Sequence, residues 1–419
     1  MLSRPAPRDP DVDRDRLRFR PVPGIRQPPH SRPVTAGSPT RTHPVLSTLR
    51  SARRRAPRRT PRPLALVALA AAAATVLSAC GSSSDSGATA AGTSGGSGSS
   101  AALRLGYFPN VTHAGAVLGV KDGTFQQALG STKLETTTFN AGPAATEALL
   151  SGSIDATFIG PNPAINAFAK SGGEAIRIIA GTTADGAAFV VKPEINSAAD
   201  LKGKTLASPQ LGGTQDVALR KWLLDNGLKT QTTGGSDVDI VNQENAQTLD
   251  LFKSGQIDGA WLPEPWASRL VLDAGGKVLV DEKTLWPNEQ FLTTHLIVST
   301  SYLKDHPEQV QALLKGLVTE TQKIESDPAT AQTELNAAIG ELTGKPLSDA
   351  VIQRSFTEIQ PTWDPLAATL PTIADDGVTA GTLTSKPDLK GIYDLTLLNK
   401  VLADAGQPQV SDGGLGQGS

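Results

Sequence analysis

The chain has 419 residues and nearly balanced charge, 39 Lys+Arg against 41 Asp+Glu, for a formal net of −2. The balance conceals two unlike parts: residues 1–79 hold 16 Arg, no Lys and 4 Asp, so the leader is net +12 and the remainder −14. An acidic body is repelled by phosphate, which disfavours a nucleic-acid binder. The one cysteine excludes a disulfide scaffold, a cysteine-rich zinc site and a CxxC redox centre.

Residues 1–63 are rich in Arg and Pro without apolar periodicity, and disorder is expected there. The run 64–77 (LALVALAAAAATVL) follows an arginine cluster at 53–62. It has the length of a signal-peptide core, short of the ~20 residues that span a membrane. It ends in Leu77-Ser78-Ala79-Cys80, which looks like a bacterial lipobox with Cys80 as the acylated residue. Residues 81–100 contain 14 Gly+Ser and read as a flexible tether. The expected product is therefore exported, cut before Cys80 and lipid-anchored on the outer face of the cytoplasmic membrane.

From 101 onward strands and helices alternate. Strands are expected at 103–107, 134–139, 156–159, 176–180, 187–191, 204–207, 238–242, 259–262, 277–280 and 295–299. Helical patterns fall between them at 142–151, 163–171, 215–226, 246–254 and 265–274. Such alternation argues for α/β layers on a mainly parallel sheet. Beyond residue 300 only helices are expected, at 307–326, 328–342, 348–359 and 395–405.

An internal repeat organises this body. Residues 140–164 (NAGPAATEALLSGSIDATFIGPNPA) align without gaps on 243–267 (QENAQTLDLFKSGQIDGAWLPEPWA) at an offset of 103. Each copy reads helix, SG-x-ID turn, buried strand, Pro-containing turn, helix. Two copies suit two similar lobes, with strand ends and helix N-termini facing one cleft. Open helix N-termini carry unpaired N–H groups and a positive dipole end, which suits an anion.

The body resembles the substrate-binding proteins of ABC importers for sulfonates, taurine, nitrate and related oxyanions, the SsuA/NMT1-like family. The likeness lies in Leu105-Gly106-Tyr107, Phe139-Asn140-Ala141-Gly142, the run 151–160 into Pro161-Asn162-Pro163, Ser208-Pro209-Gln210 with 211–216, and Glu264-Pro265-Trp266. Within the family it is nearest to actinobacterial proteins described as aliphatic-sulfonate binders. The resemblance implies an α/β, two-lobed type II periplasmic-binding-protein fold with extra C-terminal helices packed on the first lobe. Lobe I is expected at 101–185 plus 296–410, lobe II at 186–295, and a disordered tail at 411–419. It also implies a monomer that delivers a small anionic substrate to a permease with a separate ATPase, with no cofactor and no metal.

Candidate ligand contacts follow segment by segment. Asn110 and His113 follow the first strand and can donate to an anion; capping and a surface histidine are the alternatives. Asn140 and the Gly142 amide open the next helix, where Asn140 could equally cap it. Pro161 and Asn162 sit at the repeated strand end, and Thr182 and Thr183 beside the crossover. Gln210, Gly212, Gly213, Thr214 and Gln215 form a Gly-rich helix start without the GxxxxGK[ST] pattern of a nucleotide loop. Glu264 suits a ligand that also carries an amine, as taurine does, or else pairs with Arg269. Trp266 is a wall for a tail or plain core. Closure over the ligand is expected to set Asn110, Asn140 and Asn162 against Thr214 and Glu264.

An enzyme is not expected. The body from 101 onward has no G-x-S-x-G elbow, and His113 and His295 have no metal-ligand spacing. The pyrimidine-synthase branch of the fold uses a cysteine-rich segment that this body lacks. Nitrate, bicarbonate or a neutral thiamine-precursor pyrimidine remain alternatives to a sulfonate, and a lipoprotein hydrolase a more distant one.

Overall fold

A computed structural model describes residues 102–418 except 233–234. The signal-peptide, Cys80 and tether expectations lie outside the described residues.

Two sheets divide the body. The first has the order β11-β4-β10-β3-β1-β2, from β1 (Leu103–Tyr107), β2 (Leu134–Thr138), β3 (Ala156–Ile159), β4 (Ile176–Asp185), β10 (Leu292–Ser299) and β11 (Ile359–Pro361). The second has the order β7-β6-β8-β5-β9, from β5 (Ala187–Val191), β6 (Thr205–Ser208), β7 (Asp239–Asn242), β8 (Gly259–Pro263) and β9 (Lys277–Asp281). The chain crosses between them at Gly186 and again between β9 and β10. Each sheet keeps a parallel core, β3-β1-β2 and β8-β6-β7. The strands flanking the crossings pair antiparallel, so the sheets are mixed rather than mainly parallel. The second crossing ends before Leu292, four residues ahead of 296, where the first lobe is expected to resume.

The helices of the first lobe are α1 (Ala114–Lys121), α2 (Thr124–Leu129), α3 (Gly142–Leu150) and α4 (Pro161–Lys170). The second lobe carries α5 (Thr214–Asp225), α6 (Asn245–Lys253) and α7 (Trp266–Ala274). It buries apolar residues on both sheet faces: Val190, Phe252 and Leu262 on one, Phe189, Leu219 and Trp261 on the other. The period-2 alternation of β5 divides its side chains between those two cores. After β10 come α8 (Thr300–Asp305), α9 (Pro307–Ser326), α10 (Pro328–Thr343), α11 (Asp349–Thr357), α12 (Leu370–Thr379) and α13 (Thr396–Asp404). Leu313, Leu317, Leu335 and Leu398 join the first lobe's core, so these helices extend that lobe. α11 and α12 also touch α7 and α5 of the second lobe.

The repeat has a mechanical meaning in both copies. Asp155 accepts from the Arg104 amide at 2.8 Å and from Arg104 Nε at 2.9 Å. Asp258 likewise accepts from the Thr205 amide at 2.9 Å, with Lys204 Nζ at 3.3 Å. In each lobe the repeated aspartate ties one strand's start to its parallel neighbour. Gly152 and Gly255 both adopt left-handed φ, 73° and 74°, which ends the preceding helix.

The expected disordered tail is instead docked. The Gly391 amide donates to Leu415 O at 2.9 Å, Tyr393 pairs with Gly416, and Asn399 Nδ2 bonds Val410 O. Apolar packing explains why: Val410 and Leu415 lie against the first lobe's core.

Beneath the Gly-rich turn sits a buried hub. Asp216 Oδ1 accepts from Ser208 Oγ at 2.7 Å and Asn242 Nδ2 at 2.9 Å. Its Oδ2 accepts from the Gly212 amide and Arg220 Nε, both at 3.0 Å. Removing one partner of a buried ion pair strands the other charge, typically costing ~3–5 kcal/mol. Asp216→Ala is therefore expected to lose about that much unfolding free energy in urea denaturation. A loss smaller than ~1 kcal/mol would show that the pair does not support the turn.

Candidate functional site

The first turns of four helices meet at one inter-lobe cavity of about 40 Å³. Gly142 begins α3, Gly160 precedes α4, Gly213 and Thr214 begin α5, and Asn245 begins α6; all line it. None of these four starts has a side-chain cap. The first amides of a helix have no intrahelical acceptor, so their donors and the positive dipole end face the cavity. Proline makes the lobes unequal. Pro143, Pro161 and Pro163 remove amides from the first turns of α3 and α4. The first turns of α5 and α6 have no proline, so the second lobe supplies most of the free donors.

Side chains add neutral polar groups, the Thr214 hydroxyl as a donor and the Asn245 amide oxygen as an acceptor. Thr214 Oγ1 and Asn245 Oδ1 are buried without a hydrogen-bond partner among the described residues. Gly160 permits the Thr214 approach, because a Cβ there would collide with Thr214 Oγ1. Phe108 N donates to His113 Nδ1 at 3.3 Å, which leaves the ring proton on Nε2. Burial pushes the His113 pKa down to about 3, so the ring is neutral at ordinary pH. Among the described residues, no Asp, Glu, Lys or Arg lines the cavity. Any anion here is held by dipoles and hydrogen bonds, without a counter-charge. At ~10–15 Å³ per water-sized group, the space suits a three-oxygen headgroup and little more.

The sequence candidates divide. Asn110, His113, Asn140, Gly142, Gln210, Gly213, Thr214 and Gln215 line the cavity. Two of them are engaged across the cleft: Asn110 Oδ1 accepts from Trp266 Nε1 at 3.1 Å, and Asn140 Nδ2 donates to Glu244 Oε1 at 2.9 Å. These bonds join the lobes directly rather than through a ligand.

The other candidates lie elsewhere. Pro161 and Asn162 line a separate constriction of about 20 Å³, and Asn162 Nδ2 bonds Ile373 O at 3.3 Å. Gly212 faces an outer groove and gives its amide to Asp216. Thr182 Oγ1 bonds Thr294 O at 3.0 Å inside the crossing pair, and Thr183 is buried in the same strand. Glu264 meets neither ligand space nor Arg269. Its carboxylate accepts from the Ser268 amide at 3.1 Å and Ser268 Oγ at 2.9 Å, closing the start of α7. Burial raises its pKa. Arg269 pairs with Asp273 and lies over the Trp266 ring at 4.7 Å, and Trp266 is no cavity wall: it is partly buried against the second lobe's core.

Sequence reasoning missed Thr112, Asn245, Thr293 and Thr294, which also line the cavity. Asn245 was detectable: it is the repeat equivalent of Gly142, 103 residues on. Thr293 and Thr294 arrive on β10, far along the chain, with no local signal.

A hydrogen bond to a charged partner contributes ~1.5–3 kcal/mol, while an unpaired buried hydroxyl costs ~1–3 kcal/mol. Thr214→Val is therefore expected to leave the ligand-free protein as stable or about 1 kcal/mol more stable. Its anion affinity should fall at least about tenfold, as read by calorimetric titration. Unchanged affinity would remove Thr214 from the site.

Comparison with known proteins places this geometry. The NMT1-like family model matches residues 96–339, more than half of the chain. A binding protein of Brucella abortus is 26% identical over 181 residues, 43% of this chain. The chain spans 54% of that relative's length. An Escherichia coli protein described as aliphatic-sulfonates-binding is 26% identical over 286 residues, 66% of this chain and 83% of its own. Among solved structures, the alkanesulfonate-binding protein SsuA of Xanthomonas axonopodis pv. citri, bound to MOPS, superposes with a TM-score of 0.57. It shares 24% identity, covering 69% of this chain and 96% of that one. The periplasmic nitrate-binding protein NrtA of Synechocystis PCC 6803 gives 0.59 at 16% identity, covering 74% and 90%. The two mixed sheets joined by two crossings are the type II periplasmic-binding architecture of these neighbours. On the extent of the family match, the chain belongs to the NMT1-like family of solute-binding folds.

Proposed function

We propose that this protein is the extracytoplasmic solute-binding component of an ABC importer that captures an organic sulfonate between its lobes. The observation that supports it is the convergence of four uncapped helix starts on a cavity lined by no charged side chain. The cavity takes the three-oxygen headgroup. The tail lies toward the outer groove, which shares Pro163 and Gln210 with the cavity and is flanked by Pro143, Leu150 and Leu211. With Glu264 turned to Ser268, no carboxylate in the cavity awaits an amine, which favours a plain alkanesulfonate over taurine. A bare trigonal oxyanion such as nitrate or bicarbonate is the second reading, favoured by the same 40 Å³ volume.

Capture works by closure. Ligand contacts made only when both lobes meet shift the population toward the closed form, which then docks on the permease. Scattering with and without ligand is expected to show compaction at saturation, and no change would count against closure. Calorimetry across alkanesulfonates, taurine, nitrate and bicarbonate separates the two readings. Turnover of a sulfonate or sulfate ester would replace both with an enzyme.

The neutral His113 gives a pH signature. Were binding carried by an imidazolium, affinity would fall as pH rises through the ordinary histidine value of 6.5. With the His113 pKa near 3, affinity for a permanently ionised sulfonate is expected to stay flat from about pH 5 to 8.

Export and anchoring complete the proposal. The signal-peptide run and Cys80 support a lipid-anchored protein facing outward, as does the periplasmic placement of the Synechocystis neighbour. Cys80→Ala is expected to abolish metabolic labelling with fatty acid and to release the protein from the membrane fraction. Retained labelling would exclude Cys80 as the anchor.

A further inference from the structure

A second inter-lobe cavity, of about 630 Å³, lies beside the crossing segment and shares no lining residue with the anion cavity. Its walls come from α5, from the segment between β9 and β10, and from α12 with the turn before it. Between the two spaces lies the constriction of about 20 Å³ lined by Thr214, Val217 and Glu282, too narrow for a ring.

Its chemistry is the opposite of the anion cavity's. Asp225, Glu282, Asp364 and Asp376 line it against a single base, Lys221. Lys221 is already committed, with Nζ at 2.5 Å from Asp225 and 3.8 Å from Asp376. Glu282 is buried without a cationic partner among the described residues. Burial pushes its pKa up to about 8, so it is largely a neutral acid at ordinary pH and the negative charge of the groove rests on the aspartates. Trp261 Nε1 donates to its Oε2 at 2.6 Å, while Oε1 receives no hydrogen bond among the described residues.

Two indole rings supply the apolar surface. Trp286 stacks on Phe291 with centroids 6.2 Å apart, and Trp222 meets Phe189 edge-on at 5.5 Å. Each ring is held by a buried phenylalanine and remains half-buried at the cavity. Indole faces attract a cation with an apolar body, and nearby carboxylates reinforce that choice while repelling anions. A volume of this size falls within the ~300–1,000 Å³ of small-molecule sites.

We propose that this groove is a second ligand site, for an organic ammonium ion carrying an apolar or aromatic body. Because both lobes contribute walls, such a ligand also favours the closed form, independently of what the anion cavity holds.

The test is titration of the full-length protein with phenyltrimethylammonium, its neutral isostere tert-butylbenzene, and benzenesulfonate. The ammonium is expected to bind about tenfold more tightly than either of the others. Trp286→Ala and Asp376→Asn should each weaken it about fivefold or more, and Asn245→Ala should leave it unchanged. Trp286→Phe, which keeps an aromatic face, should retain most of the binding, with thermal unfolding checking that each variant folds. Equal binding of tert-butylbenzene or benzenesulfonate at this groove would overturn the assignment. So would ammonium binding lost in Asn245→Ala but kept in Trp286→Ala, or no ammonium binding at all.

Discussion

Four helices begin at one point, and none of them is capped. A buried, uncapped helix start leaves donors that must find an acceptor. Here those donors are gathered around a space that no charged side chain lines among the described residues. Much else follows from that constraint: Gly160 must be small, Thr214 must face inward, and Asp216 must hold the Gly-rich turn from beneath. It also resolves an apparent conflict of charge. A body carrying −14 repels anions at long range, but at contact distance oriented amides dominate, because screening limits distant charges.

The two lobes share a plan without sharing the work. Asp155 and Asp258 perform the same strand-tying task in each, and Gly152 and Gly255 end equivalent helices. Proline then separates the lobes: three in the first turns of α3 and α4 remove amides that α5 and α6 retain. The first lobe instead contributes His113, the threonines of the crossing strand and the proline-shaped wall. The second lobe therefore supplies most of the free donors at the cavity, and the first lobe faces them across the cleft.

Direct bonds between the lobes compete with the ligand. Asn110 with Trp266 and Asn140 with Glu244 bridge the lobes, aided by Asn166 Nδ2 on Gly212 O at 3.3 Å. A solvent-accessible pair of this kind contributes modestly, about 0.5–1.5 kcal/mol per hydrogen bond. Opening thus stays inexpensive, and ligand binding can bias a balance that is already close.

The sequence by itself determined the lobed α/β plan and the repeat, because these rest on local periodicity. It also placed the Gly-rich start at 210–215, since glycine followed by a helical pattern is a local signal. Contacts across the cleft were another matter. Glu264 and Trp266 looked like ligand residues from their place in the repeat, yet Ser268 and Asn110 claimed them. Thr293 and Thr294 reach the cavity only because β10 returns to the first sheet beside β3 and β4. The docked tail, too, depends on apolar residues far away in the chain. The opening arithmetic shows the same division: total charge was legible from composition, but the neutrality of the binding cavity was decided by tertiary structure, which selects the groups that face inward.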